Sequence, residues 1–456
     1  MLIHKNKSYI FPVKYGVIFS IFTFIVYLFG VWEYPSTNRF ALIVMVIIYN
    51  LSIFYGFILG TRLLKTKSSV SVSQSRLKDP NVLLKKLYMY SFWACVIMVI
   101  PRFIIFNSLY DGITIPGLIE SIKASLLDVN SAYIESHFNS QSATGIWKIL
   151  NYCIVLSSFL MWSYTPLTIL LWKKISKTQR VVAIVYWIIY LMQYILSATN
   201  VGVISLIFIL FVSFTLKRET HSGFRRIVLR ARSTRAKILT YGILTIVVIF
   251  TVLNYTMTSR VGVNYETKLL GGMSIPINTS SLFWILTPDS FHPIIATLNH
   301  YIAQGYYALE RSIDVDTGFT YFAGYSRFLM DNIFQYTGIN IFEKSLIMNL
   351  YYDTGYHYYI NWHTAYMWFA NDVTLYGVPF VLFALFTFFG AAWKTFVESG
   401  NPFGFLVGVV STYFMLFISA NNSVFSNYET YIAFIFLVIV FFSTRYKYDW
   451  KKIRYE

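Results

Sequence analysis

Long apolar runs separated by short polar segments dominate the pattern of this 456-residue chain. A helix needs about 20 apolar residues to cross a bilayer. The pattern predicts ten membrane-spanning helices, at residues 13–31, 40–60, 88–106, 149–172, 181–198, 201–216, 238–256, 374–393, 403–419 and 431–443. We divide the fifth run from the sixth at Ser197-Ala198-Thr199-Asn200, because one helix over both would be about 54 Å long, too long for a single crossing. The predicted fold is an all-α polytopic membrane protein.

The composition supports the same fold, because hydrophobic residues make up 56% of the chain and charged residues only 12%. Average soluble proteins carry about 25% charged residues. This composition excludes a disordered protein, a coiled coil and an ordinary soluble enzyme.

The basic residues that give the chain its net charge of +17 are distributed according to the predicted topology. If the N-terminus is inside, 28 of the 37 lysines and arginines fall in the inside segments, above all in the loops 61–87, 173–180 and 217–237. Cytoplasmic loops of membrane proteins carry such an excess of basic residues. We therefore expect both termini in the cytoplasm, and we attribute the charge to topology and not to nucleic-acid binding.

The predicted spans divide the chain into three parts. Residues 1–256 form an N-terminal bundle of about seven spans with a medium outside loop at 107–148, and residues 374–456 form three spans and a basic tail. Between them, residues 257–373 form a large outside loop, which we expect to contain short helices and the active site. The spans hold almost no charge apart from Arg102. Ion-coupled transporters place charged residues near the bilayer midplane, so this pattern favours an enzyme or receptor over a pump.

The large loop is rich in aromatic residues, with 21 between positions 291 and 369. Aromatic faces stack on sugar rings, and tyrosine adds a hydroxyl for hydrogen bonding. An interfacial belt at the lipid headgroups is the alternative interpretation. The same segment holds four of the seven histidines, His292, His300, His357 and His363.

Three arginines of this loop, Arg260, Arg311 and Arg327, are candidates for binding an anion. The planar guanidinium suits phosphate bidentately and keeps its charge at any relevant pH. For Arg260, which follows the seventh predicted span, a snorkelling anchor at the membrane surface is the alternative.

Two spacings connect these residues to a known family. Arg260 and Arg327 are each followed by ten residues and a glycine, Gly271 and Gly338. The stretch Asn361–Met367 places His363 nine residues before Asp372 and fourteen before Gly377, ahead of a predicted span. With the Tyr- and Gly-containing stretch 301–309, these motifs resemble the Wzy-type repeat-unit polymerases of bacterial O-antigen and capsule, and the related O-antigen ligases. The chain differs from the family in having Thr364 where Asn is frequent and Asp372 where Glu is commoner.

The resemblance implies a multi-pass protein of the bacterial cytoplasmic membrane that transfers a glycan from undecaprenyl diphosphate to a sugar hydroxyl of another lipid-linked repeat unit. Arg260 and Arg327 would stabilise the diphosphate leaving group, and His363 would be the base or orienter for the attacking hydroxyl. Asp372 would hold His363 in one tautomer, bind the acceptor or cap the eighth span. Further substrate contacts are expected from His300, Arg311, Tyr306, Tyr366 and Trp362.

No cofactor or metal is implied, although Asp314-Val315-Asp316 has a spacing that metal sites use. The expected partners are the lipid-linked donor and acceptor, membrane lipid and a chain-length regulator, with no nucleic acid. A ligase would use the same donor and geometry. A lipid-linked oligosaccharide transporter is another alternative, and it would need charged or broken spans along a central path. If the protein is a non-enzymatic scaffold, the spacing of His363, Asp372 and Gly377 is a coincidence.

Overall fold

The structure, a computed structural model, is helical and describes part of the chain. The described residues are 2–63, 79–107, 116–117, 119–120, 122–123, 145–197, 200–220, 267–270, 272–358, 361–445 and 448. They form two compact units that interleave along the sequence, one from residues 1–77 and 264–447 and the other from 78–263 and 448–456.

Long apolar helices make up most of both units. The N-terminal helices are α1 (Leu2–Phe29), α2 (Arg39–Leu63), α3 (Pro80–Asn107), α4 (Gly145–Leu171), α5 (Lys177–Leu196) and α6 (Asn200–Thr220). The C-terminal ones are α11 (Ala365–Ser399), α12 (Pro402–Phe417) and α13 (Tyr428–Thr444). Within the described residues, α12 and α13 are short apolar helices, and the other seven are long and apolar enough to cross a membrane.

These nine helices lie at nine of the ten predicted spans, which supports a multi-pass membrane protein. The seventh predicted span, 238–256, lies outside the described residues, so the count of ten stays a prediction. Helix α5 ends at Leu196 and α6 begins at Asn200, so the predicted division between the fifth and sixth spans is confirmed.

The unit of α3 to α6 contains the one charged residue predicted inside a span. Arg102 on α3 is buried, its guanidinium lies 4.9 Å from the Tyr190 ring centroid, and its Nη2 donates to the Tyr194 hydroxyl at 3.0 Å. Both tyrosines belong to α5. The charge is therefore held by aromatic neighbours between helices.

The predicted large loop contains short elements within the other unit, as expected. They are an antiparallel hairpin, β1 (Thr267–Leu270) and β2 (Met273–Pro276), followed by α7 (Leu282–Ile285), α8 (His292–Arg311), α9 (Arg327–Thr337) and α10 (Leu346–Thr354).

Helices α2 and α11 of this unit run parallel in close contact, and glycines make the approach possible. A Cβ on Gly56 would lie 2.5 Å from the Phe383 carbonyl oxygen, and one on Gly60 would lie 2.0 Å from that of Thr387. On the facing helix, a Cβ on Gly390 would lie 2.1 Å from the Phe57 carbonyl oxygen. Glycines four residues apart are a known device of membrane helix packing.

Helix α11 differs from the predicted eighth span, which was expected to begin at Thr374. The helix begins nine residues earlier, and its backbone breaks at Thr374, where φ is 60° and ψ is 168°. The part before the break, 365–373, starts at the N-cap Thr364 and is largely buried. Asp372, expected in a loop, is therefore on a helix. Apolar content alone did not distinguish this buried helix from the preceding loop.

Candidate functional site

Helix α8 is fixed to its unit by a buried acid, Glu310. The Glu310 side chain has 0% exposure and accepts from the Tyr27 hydroxyl at 2.5 Å and from Arg39 Nε at 2.9 Å. Its other donors are the backbone N–H groups of Thr37 and Asn38 and the Ser36 hydroxyl. Burial alone would raise the pKa of this carboxyl, but these donors and the Arg39 charge hold it below its ordinary value. No sequence pattern marked this residue, because its donors lie about 270 positions earlier in the chain.

Two predicted substrate residues of α8 take part in packing. Tyr306 is fully buried, and its hydroxyl lies 3.2 Å from both the Ser20 carbonyl oxygen and the Thr23 hydroxyl of α1. His300 is buried with its Nδ1 3.4 Å from the Tyr34 hydroxyl. These contacts orient α8 on α1 and on the segment that follows it. Substrate binding by the two residues stays a prediction.

The segment that carries His363 is attached to one face of α8. A Cβ on Gly305 would lie 2.7 Å from the Ser419 carbonyl oxygen and 3.1 Å from Thr364 Cγ2, so only glycine lets α8 approach this closely. Gln304 Oε1 accepts from the backbone N–H of Trp362 at 3.3 Å, and the Trp362 ring lies 4.7 Å from that of Tyr301. The glycine of the 301–309 stretch therefore has a structural role beside the histidine.

His363 itself is buried, with 2% of its surface exposed. Its ring meets that of Tyr356 edge-on at 5.1 Å, and the Tyr356 hydroxyl lies 3.1 Å from the Trp362 carbonyl oxygen. The imidazole hydrogen-bonds to the backbone of Asn361, while Nε2 is buried with no hydrogen-bond partner among the described residues. In a neutral imidazole one ring nitrogen carries the proton and the other is an acceptor.

The environment keeps His363 neutral. Burial lowers the pKa of the imidazole to about 3, against the opposing effect of the Asn361 hydrogen bond, and the charges of Arg327 and His357 lower it further. The structure thus brings the Arg327 charge close enough to act on His363. A neutral imidazole with an open, buried acceptor nitrogen is able to accept a hydrogen bond from a hydroxyl group.

Arg327 is the first residue of α9, and its side chain is 31% exposed. Ser326 caps the helix at its N-terminus, and Gly338 caps its C-terminus with φ at 72°, a conformation that favours glycine. The spacing from Arg327 to Gly338 is therefore the length of one capped helix. Arg327 Nε lies 3.4 Å from Asp331 Oδ2, one turn further on. Its predicted partner Arg260 lies outside the described residues.

Asp372 has its hydrogen-bond donors in the segment before Arg327. Oδ1 accepts from the backbone N–H of Thr320 at 2.9 Å, from the Thr320 hydroxyl at 2.7 Å and from the N–H of Phe322 at 3.1 Å, and Oδ2 accepts from the N–H of Gly324 at 3.1 Å. His363 Nε2 has no hydrogen-bond partner, and the donors to Asp372 belong to residues 320–324, so the described residues contain no Asp372–His363 hydrogen bond. A direct catalytic role of Asp372 stays a prediction.

Gly377, the last residue of the histidine motif, lies one turn after the break at Thr374. A Cβ on Gly377 would lie 2.7 Å from the Cβ of Val373. A larger residue would collide with the Val373 side chain just before the break, so this glycine accommodates the break.

The remaining predicted residues make other contacts. Tyr366 is fully buried, with its ring 4.7 Å from that of Tyr49 on α2. Arg311 ends α8, where its charge acts on the Tyr307 hydroxyl. The Asp314 carboxylate accepts from the Asn38 side chain. Within the described ranges, no group of three or more His, Cys, Asp or Glu side chains is arranged to hold a metal ion.

No protein-family model, curated protein or solved structure matches this chain. The interpretation of the site therefore depends on its own geometry. A buried neutral base, a nearby partly exposed arginine and surrounding aromatic rings are suited to a reaction in which a hydroxyl loses a proton and an anion departs.

Proposed function

We propose that this protein is a membrane-embedded glycosyltransferase that polymerises lipid-linked oligosaccharide repeat units. It transfers a glycan from a polyprenyl diphosphate donor, such as undecaprenyl diphosphate, to a sugar hydroxyl of a second lipid-linked unit. The observation that carries the proposal is the buried, unpartnered Nε2 of His363 within reach of the Arg327 charge. A buried polar atom without a partner costs free energy, so its presence calls for an explanation, and a bound hydroxyl would supply the missing donor.

The reaction assigns one task to each group. The acceptor hydroxyl oxygen forms a bond to the anomeric carbon, the bond from that carbon to the diphosphate oxygen breaks, and the hydroxyl proton passes to His363 Nε2. Negative charge grows on the leaving diphosphate, where Arg327 stabilises it. Arg327 also stands at the N-terminus of α9, where the helix dipole favours an anion. Arg260 would supply a second cation.

Substrate binding tunes the base in the direction the reaction needs. Burial lowers the pKa of His363 most, and the Arg327 charge lowers it further. A bound diphosphate offsets that positive charge, so the pKa of His363 rises when the donor is present. The imidazole then becomes a stronger base only when a leaving group is in place. No cofactor or metal takes part in this scheme.

The site belongs at the outer face of the bacterial cytoplasmic membrane under this proposal. Ten spans with both termini in the cytoplasm put the basic loops inside and the segment 257–373 outside, in agreement with the distribution of lysine and arginine. The Tyr301 and Trp362 rings beside His363 provide aromatic surface for a sugar. A chain-length regulator is the expected protein partner.

The test is turnover of a synthetic undecaprenyl-diphosphate-linked repeat unit by the purified protein in lipid vesicles. We expect a ladder of polymers together with free undecaprenyl diphosphate. Transfer only to a lipid A acceptor would identify a ligase instead. Donor that crosses the bilayer unchanged would identify a transporter, and an intact donor in every compartment would refute the proposal.

A further inference from the structure

The segment that leads into Arg327 has a strained backbone. Tyr321 and Phe322 are successive aromatic residues with φ at 54° and 57°. The left-handed conformation costs about 1–2 kcal/mol per residue for side chains other than glycine. Such strain persists only where surrounding contacts hold it in place.

The Asp372 carboxylate provides these contacts. It accepts four hydrogen bonds from Thr320, Phe322 and Gly324, three of them from backbone N–H groups. Hydrogen bonds to a charged acceptor are about twice as strong as those between neutral groups. All four come from a five-residue stretch around the two strained residues, so one carboxylate fixes the whole turn.

Neighbouring side chains extend this attachment to Arg327. Asn371 Nδ2 donates to the Gly324 carbonyl at 2.7 Å, and Asn422 Nδ2 donates to that of Tyr325 at 2.7 Å. The Ser326 hydroxyl donates to the Phe425 carbonyl at 2.5 Å. The chain is thus held at 324, 325 and 326, directly before Arg327 begins α9.

The same short helix reaches His363 at its other end. Asn371 and Asp372 lie on the part of α11 before the break, and Thr364, the N-cap of that helix, follows His363 directly. Nine helical residues span about 13 Å. The histidine and the turn that carries the arginine are therefore attached to opposite ends of one buried helix.

We propose that Asp372 is a positioning residue which, by holding the 320–324 turn, sets the separation between Arg327 and His363. The proposal rests on the transfer reaction proposed above. It explains the nine-residue spacing from His363 to Asp372 as the length of the connecting helix. It also distinguishes Asp372 from a proton acceptor, because the carboxylate is occupied by four donors.

The first test needs no substrate. Hydrogen exchange of the purified protein should show protected amides at Thr320, Phe322 and Gly324. Asp372→Ala should make these amides exchange at least about tenfold faster, because their hydrogen-bond acceptor is gone. A tenfold change corresponds to about 1.4 kcal/mol of lost protection. Thr320→Val, which removes one of the four bonds, should act in the same direction but less. The exposed Asp353→Ala is the matched control and should change nothing in this segment.

The second test asks whether Asp372 acts through Arg327. In single variants, Asp372→Asn and Arg327→Lys should each slow transfer, by about tenfold or more. In the Arg327→Lys background, Asp372→Asn should add little, because the group it positions is already impaired. Multiplicative losses in the double variant, or full transfer by Asp372→Asn, would overturn the proposal.

The two tests separate this inference from the proposed function. A wild-type protein with protected amides but no transfer would refute the proposed reaction and leave the positioning role of Asp372 standing. An active wild-type protein whose 320–324 amides exchange freely, or are unaffected by Asp372→Ala, would refute the positioning role of Asp372. The proposed transfer reaction would still stand.

Discussion

Glu310 and His363 are both buried, titratable side chains of the same compact unit, yet their surroundings are opposite. Glu310 accepts hydrogen bonds from five groups, and its pKa is held below the ordinary value despite burial. His363 has an unpartnered Nε2, and burial lowers its pKa to about 3. The first is charged and satisfied, whereas the second is neutral and unsatisfied.

This difference separates a structural residue from a functional one. A buried charge with all its partners supplied stabilises one arrangement of the chain and has nothing left to offer a ligand. An open acceptor in a dry environment is costly for folding, but it is free to accept a hydrogen bond from a substrate hydroxyl. Asp372 belongs with Glu310 on this criterion, although the sequence motif places it beside His363.

Removing the Glu310 carboxylate should have the largest effect on stability. Glu310→Ala removes the shared acceptor of the buried Tyr27 hydroxyl and of the half-buried Arg39, and each buried polar group left without a partner costs about 1–3 kcal/mol. Thermal unfolding in detergent should show a large loss, whereas the exposed Glu343→Ala should stay within about 0.5 kcal/mol of wild type. Equal stability of the two variants would contradict the structural role of Glu310.

Changing Arg327 to lysine tests the other side of the comparison, because it should affect activity and not folding. The variant keeps the charge but loses the planar fork, and a charge-assisted hydrogen bond contributes about 1.5–3 kcal/mol, which corresponds to about 10- to 100-fold in transfer rate. Arg311→Lys is the matched control and should be milder. Similar rates for both variants would remove Arg327 from the diphosphate site.

Acidification should destabilise the protein through His363. In the unfolded chain the imidazole takes up a proton below about pH 6.5, the ordinary pKa of histidine. In the folded protein His363 takes up a proton only when the pH falls to its lowered pKa of about 3. Stability is therefore lost as pH falls from 6.5 towards 3, by at most about 1.4 kcal/mol per pH unit for one proton. Between pH 6.5 and 5, His363→Gln should lose less stability than wild type. Parallel pH profiles would show that His363 is not held neutral.

The smallest expected effect concerns the glycine of the arginine motif. Gly338→Ala places a methyl group on the left-handed C-cap of α9 and should cost about 1 kcal/mol. Gly338→Asn should cost less, because asparagine tolerates that conformation, and Gly355→Ala at the equivalent cap of α10 is the matched control. Unfolding measurements check both. Abolished transfer with unchanged stability in Gly338→Asn would assign the glycine to substrate contact.

The sequence predicted the features that depend on local pattern. Apolar runs predicted the positions of nine described helices, whereas the helix that fills the spacing from Arg327 to Gly338 was not predicted. Features that depend on distant partners were missed. The donors to Asp372 lie about 50 residues earlier in the chain, those to Glu310 about 270 earlier, and the break at Thr374 is inside an otherwise apolar run.

The central claim, that His363 Nε2 accepts the proton of the attacking hydroxyl, is tested most directly by one measurement. The rate of glycan transfer from a synthetic lipid-linked repeat unit at saturating donor is compared between purified wild type and His363→Gln. Glutamine keeps a polar contact but cannot act as the base, so the rate should fall by about 10²–10⁴-fold with donor binding and thermal unfolding near wild type. A rate within a few-fold of wild type would contradict the account.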